Sequence, residues 1–107
     1  MSEYNKSQPV IHDLLTQTEN KSGLIGTSSS TITFAQEIDG LEIVNHSTTN
    51  TIYIEFSGAA ATVTASLPIY PRQYYSCNRK MTTFKIISDS ASTDVRIMGH
   101  FAYDALN

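Results

Sequence analysis

The sequence predicts an all-β fold: an antiparallel β-sandwich or jelly roll over residues 31–107, preceded by an N-terminal arm, residues 1–30, that contains a short helix. Three observations predict it. From Thr31 onward apolar and polar residues alternate with a period of two, as half-buried strands require. Clusters of Gly, Pro, Asn, Asp and Ser interrupt this alternation about every ten residues, the rhythm of a sandwich. Finally, 107 residues of which 40% are hydrophobic and 16% charged suffice for one core, in a chain too weakly charged to stay disordered.

The arm comes first. Val10, Ile11, Leu14 and Leu15 repeat at three- and four-residue intervals, which favours a helix; Pro9 suits its first turn and residues 20–23 supply a stop. So short a helix is marginal alone, so its apolar face either covers the sheet or binds a partner. Residues 23–30, rich in Gly and Ser, read as a connector.

The strands follow in order. Ile32, Phe34 and Ile38 share one face against Thr33 and Glu37, and Asp39-Gly40 is a two-residue hairpin signal leading into residues 41–45. After a polar turn at 45–50, Ile52, Ile54 and Phe56 point inward and Tyr53 and Glu55 outward. Gly58 opens a small-residue loop, and Ala61, Val63 and Ala65 form the inner side of a weaker strand. Pro68 and Pro71 assign residues 67–72 to an edge or corner, because proline donates nothing to a ladder. Strands through 73–77 and 82–88 flank a turn at 78–81, and a polar turn at 89–93 leads into a long last strand. There Val95, Ile97, Gly99 and Phe101 oppose Arg96, Met98 and His100. The expected core is Ile32, Phe34, Ile38, Leu41, Ile43, Ile52, Ile54, Phe56, Val63, Phe84, Ile86, Val95, Ile97 and Phe101.

Composition narrows function. The N-terminus carries no basic segment followed by an apolar run, and no stretch reaches the roughly 18 apolar residues of a membrane helix, so neither secretion nor a membrane is expected. The lone Cys77 forms no internal disulfide, which fits synthesis in a reducing cytoplasm. A net charge of −3 speaks against nucleic acid. The charge is uneven: Lys6 and Lys21 stand against seven acids up to Glu55, while Arg72, Arg79, Lys80, Lys85 and Arg96 stand against Asp89, Asp94 and Asp104 beyond it. Such asymmetry can orient subunits or a docking surface.

Motifs of catalysis are missing. There is no Gly-x-Ser-x-Gly elbow, residues 23–28 lack the lysine of a phosphate loop, and His12, His46 and His100 have no ligand spacing, so no metal or cofactor is expected. Residues 89–94 lack the glycine and alternating donors of a calcium loop. Cys77 with His46 or His100 would have to meet in space. The pattern of most interest is Tyr70, Tyr74 and Tyr75 beside Arg72 and Arg79, since Tyr and Arg concentrate where proteins bind proteins or sugars. Its structural alternative is a Tyr-rich strand packing on its neighbours.

The segment Leu41-Glu42-Ile43-Val44-Asn45-His46-Ser47, with Thr51-Ile52-Tyr53-Ile54-Glu55-Phe56-Ser57-Gly58, Ala61-Thr62-Val63, the proline turn Leu67-Pro68-Ile69-Tyr70-Pro71, Phe84-Lys85-Ile86-Ile87-Ser88 and Asp94-Val95-Arg96-Ile97, resembles small β-rich structural proteins of tailed bacteriophages. The resemblance spans residues 31–101. It implies a head decoration, cement or neck subunit, made in the host cytoplasm and located in the virion, trimeric or of higher symmetry, with the major capsid protein or other virion proteins as partners and no catalytic residues. Val10, Ile11, Leu14 and Leu15 would then be the partner-binding arm. A reading from another class is a carbohydrate-binding or adhesive module stacking sugars on Tyr70, Tyr74 and Tyr75 beside Arg72; a cupin-like enzyme is a third, weakened by the scattered metal ligands.

Overall fold

The computed structural model describes residues 16–102, and the proposed helix with Val10, Ile11, Leu14 and Leu15 lies outside them. Every element described is a strand: β1 Thr16–Asn20, β2 Gly23–Ile25, β3 Ser30–Ile38, β4 Gly40–Asn45, β5 Ile52–Glu55, β6 Leu67–Ile69, β7 Tyr74–Cys77, β8 Met81–Ser88 and β9 Thr93–Ala102. They form two antiparallel sheets packed face to face. In the first the order is β1-β9-β4-β7, with β2 also on β9; in the second it is β3-β8-β5-β6.

The pairing is nested. β5 pairs with β6, β4 with β7, β3 with β8 and β2 with β9, so the chain is one long hairpin whose arms are matched from the tip outward. The hairpin is wrapped so that β9 also pairs with β4, and β8 with β5. Each inner face buries one side of the period-two pattern. Phe34, Ile38, Leu41, Ile43, Ile52, Ile54, Phe84, Ile86, Val95 and Ile97 are buried as expected, and Ile32, Phe56 and Phe101 pack partly buried against them. Ile25 and Ile69 join the core, each the last residue of a three-residue strand.

Gly99 sits where β3 side chains press closely on β9. A Cβ there would lie 2.6 and 2.9 Å from Phe34 ring carbons and 2.7 Å from Ile38 Cγ2. The missing side chain is what lets Phe34 lie on β9 while stacking on Phe84, 6.3 Å away.

Four expectations are corrected. Residues 16–25, assigned to the helix end, its stop and the connector, form β1 and β2. Both keep one register on β9, with Asn20 opposite Met98 and Gly23 opposite Val95. The free edge of β9 supplies hydrogen bonds that no local signal announces, and at the break Lys21 N–H donates to the Ile97 carbonyl while Ser22 Oγ accepts from Ile97 N–H. Asp39-Gly40 is no hairpin either, because β3 and β4 lie in different sheets. The β3 ladder shifts register between Thr33 and Ile38, bending the chain so that Asp39 crosses between sheets and donates its N–H to the His100 carbonyl.

The weak strand at Ala61, Val63 and Ala65 is a turn, with Val63 exposed and Ala61 alone buried. Ser66 and Thr62 make the turn by bonding to each other: Thr62 N–H donates to Ser66 Oγ and Ser66 N–H to the Thr62 carbonyl. Consequently Val63 leaves the core list. The proline segment behaves as expected, since β6, which holds Pro68, is the edge of the second sheet.

Candidate functional site

The five residues singled out as an interaction surface do not come together. Tyr74 and Tyr75 are neighbours on β7 and so point to opposite sides of the first sheet. Tyr75, opposite Ile43, turns inward and packs on the core, 6.5 Å from the Phe56 ring. Burial first, and the adjacent Cys77 thiol second, raise its phenol above the ordinary value. Arg79 covers the other aromatic of this pair, its guanidinium carbon 4.6 Å from the Phe56 centroid, a cation–π contact that closes the core at that edge. Tyr75 and Arg79 therefore seal the sandwich. Cys77 is half-buried beside them.

Tyr70 and Arg72 belong to a different construction, a turn at one end of the sandwich. Gln73 N–H donates to the Tyr70 carbonyl, Pro71 occupies the second position and Arg72 the third with φ of 67°. That is the type II pattern, whose third position calls for glycine. Holding arginine there costs about 1–2 kcal/mol through the Cβ–carbonyl clash. The turn is nevertheless firmly held. Gln73 Oε1 accepts from Tyr70 N–H at 3.0 Å, and Arg72 N–H donates to the Asn45 carbonyl at 2.9 Å.

Asn45 is the polar centre of this end, and it is fully buried. Its side-chain amide donates to the Asn50 carbonyl at 2.8 Å and the Ile69 carbonyl at 2.9 Å, while Oδ1 accepts from Ser47 N–H at 3.0 Å. Its own N–H donates to the Gln73 carbonyl. One side chain thus ties the 45–51 loop to the end of β6. The next loop is joined in turn: Asn50 Nδ2 donates to Thr93 Oγ1, the Thr93 and Ser88 hydroxyls lie 2.6 Å apart, and Thr51 N–H donates to Asp89.

On the outer face of the first sheet, register aligns Glu42 with Met98, Val44 with Tyr74 and Arg96, and His100 with Thr18. A chain of hydrogen bonds crosses four strands there. Tyr74 Oη donates to Glu42 Oε2 at 2.6 Å, Glu42 Oε1 lies 3.0 Å from His100 Nε2, and His100 Nδ1 lies 2.9 Å from Thr18 Oγ1. These bonds, Tyr74 first and His100 second, hold the Glu42 carboxyl below its ordinary value, and Glu42 in return raises the Tyr74 phenol. Hydroxyl, imidazole and carboxylate stand in relay order, but Thr18 is exposed on an outer strand and Tyr74 takes the second carboxylate oxygen. What the arrangement does is clamp β7, β4, β9 and β1 together. Glu42, Thr18 and Asn45 carried no sequence signal, because their partners lie 32, 82 and 24 residues away.

Among the described residues no three His, Cys, Asp or Glu side chains gather as a metal site. No family model matches the chain, and no curated protein matches it.

Proposed function

We propose that the chain is a non-enzymatic structural subunit of a bacteriophage particle, a capsid decoration or cement protein that binds and stabilises the assembled shell. The observation that carries this reading is the nested pairing, β2 with β9 through β5 with β6. This is the strand order of a double Greek-key jelly roll, an architecture found in viral capsid and lectin domains and in cupins. Fold alone does not choose among these, so the choice rests on the surface. Sugar stacking on a Tyr platform is disfavoured by the opposite facing of Tyr74 and Tyr75. A decoration subunit needs rigid loops and a broad face in place of a reactive cleft, and the Asn45-centred end with the outer face of the first sheet supplies both. The major capsid protein is the partner, the assembly is a trimer, and residues 1–15, with Val10, Ile11, Leu14 and Leu15, are the arm that reaches the shell.

The test is light scattering on the full chain and on a version starting at residue 16, which keeps all nine described strands, each with and without purified capsid shells. Full-length protein that trimerises or binds shells, with the shorter form losing this, supports the proposal. A monomer indifferent to shells in both forms refutes it, and binding on glycan arrays would then establish the adhesive alternative.

A further inference from the structure

Arg72 occupies a backbone position where glycine would be more stable, and every backbone contact of the turn would survive that replacement, because the bonds from Arg72 N–H and Gln73 N–H involve no side chain of residue 72. The arginine side chain contributes nothing visible to the fold in exchange: it is exposed and makes no ion pair among the described residues. Strain retained at a rigid, exposed turn indicates work done by the side chain itself. Beside it Tyr70 is 53% exposed. Just beyond, Arg96 lies across Val44 from Tyr74 on the outer face, also with no ion pair among the described residues. Tyr and Arg held on a pre-ordered backbone lose little entropy on binding, which is how contact hot spots are built.

The geometry points to the turn of Tyr70, Pro71 and Arg72, continued by Arg96, as a docking tip for a carboxylate-bearing protein surface. Guanidinium forks match carboxylates through paired hydrogen bonds, and Tyr70 supplies apolar contact area beside them. A polyphosphate is the poorer fit: a continuous phosphate backbone needs an extended basic surface, which a chain of net charge −3 does not offer, whereas a single carboxylate needs only one guanidinium fork. This inference rests on the shell-binding reading for the identity of the partner, an acidic patch on the shell, but not for the chemistry of the tip.

The experiment is an NMR titration of the isotope-labelled full chain with a decaglutamate peptide, alongside shell co-sedimentation and thermal melts, for the natural sequence, R72G and R72K. Expected are peptide-induced shifts confined to the amides of Tyr70, Arg72, Gln73 and Arg96, about a tenfold loss of peptide affinity in R72G, and partial retention in R72K. R72G should also melt about 2–5 °C higher, since it relieves the strain. Peptide shifts elsewhere, unchanged affinity in R72G, or tighter binding of a 20-nucleotide DNA than of the peptide would overturn the inference. Shell binding that R72G leaves intact would remove the tip while keeping the shell reading. Arg72-dependent peptide binding without any shell binding would keep the tip and remove the shell.

Discussion

Asn45→Asp is the substitution that tests most directly how the loop end is built. Asparagine and aspartate have nearly the same shape, so no cavity forms and the change is one of hydrogen-bond polarity alone. The amide nitrogen that now donates to the Asn50 and Ile69 carbonyls at 2.8 and 2.9 Å would become an oxygen facing two oxygens. The sole hydrogen-bond donor left to the carboxylate would be Ser47 N–H. Taking this donor from two buried or half-buried carbonyls and turning a carboxylate oxygen on them, at ~1–3 kcal/mol each, predicts a loss of about 3–5 kcal/mol at pH 7, a large share of a small domain's stability. Protonation changes the outcome. A neutral carboxyl donates one hydrogen bond and so restores one of the two, cutting the loss to about half. The two carbonyls disfavour the charged form, so the folded pKa rises above the unfolded one. The variant is therefore relatively most stable below its unfolded pKa and loses stability as pH rises through the folded pKa. Urea unfolding of both proteins between pH 3.5 and 7, taken as a difference to cancel the natural acid limb, measures this. A difference under about 1 kcal/mol at pH 7, or one independent of pH, would refute the account of Asn45 as an amide-specific tie.

Gly99→Ala places a methyl group 2.6–2.9 Å from Phe34 and Ile38, so overpacking should cost ~1–3 kcal/mol and lower Tm by ~5–15 °C. A neutral or stabilising Gly99→Ala, seen calorimetrically, would show that the sheets are not in contact there. The depressed Glu42 carboxyl contributes stability that is present above its ordinary value of 4.5 and lost as pH falls through the folded value. Tyr74→Phe and His100→Ala should each flatten that acid limb, Tyr74→Phe more; because the site is partly exposed the whole effect stays below about 1 kcal/mol, and unchanged limbs in denaturant titrations from pH 5 to 3 would count against the clamp. Arg79→Ala, which uncovers the Phe56 ring, should lose ~0.5–1 kcal/mol in urea unfolding; no loss would mean that the guanidinium merely rests on the ring.

What was legible in the sequence was what a period of two encodes. β4, β5, β8 and β9, and nearly all of the core, were readable because inward residues there are consistently Ile, Val, Leu or Phe, and burial is set by which face of a strand a residue occupies. Pro68 could be assigned to an edge because the missing donor is a local fact. β1 and β2 were not readable. Their residues are mostly polar, and what makes them strands is the open edge of β9, which lies some 75 residues away in the chain.

The candidate site divides along the same line. The sequence by itself picked out Tyr70, Arg72, Tyr74, Tyr75 and Arg79 as residue types suited to contact, and determined that an all-β fold would carry them. Only the tertiary structure decided that Tyr75 and Arg79 close the core, that Tyr74 joins Glu42 and His100 on the outer face, and that Tyr70 and Arg72 stand on a strained turn held by Asn45. The physical reason is that alternation and turn chemistry act between neighbours in the chain. Strand pairing, sheet crossing and the capture of a buried amide instead depend on groups that folding alone brings within 3 Å.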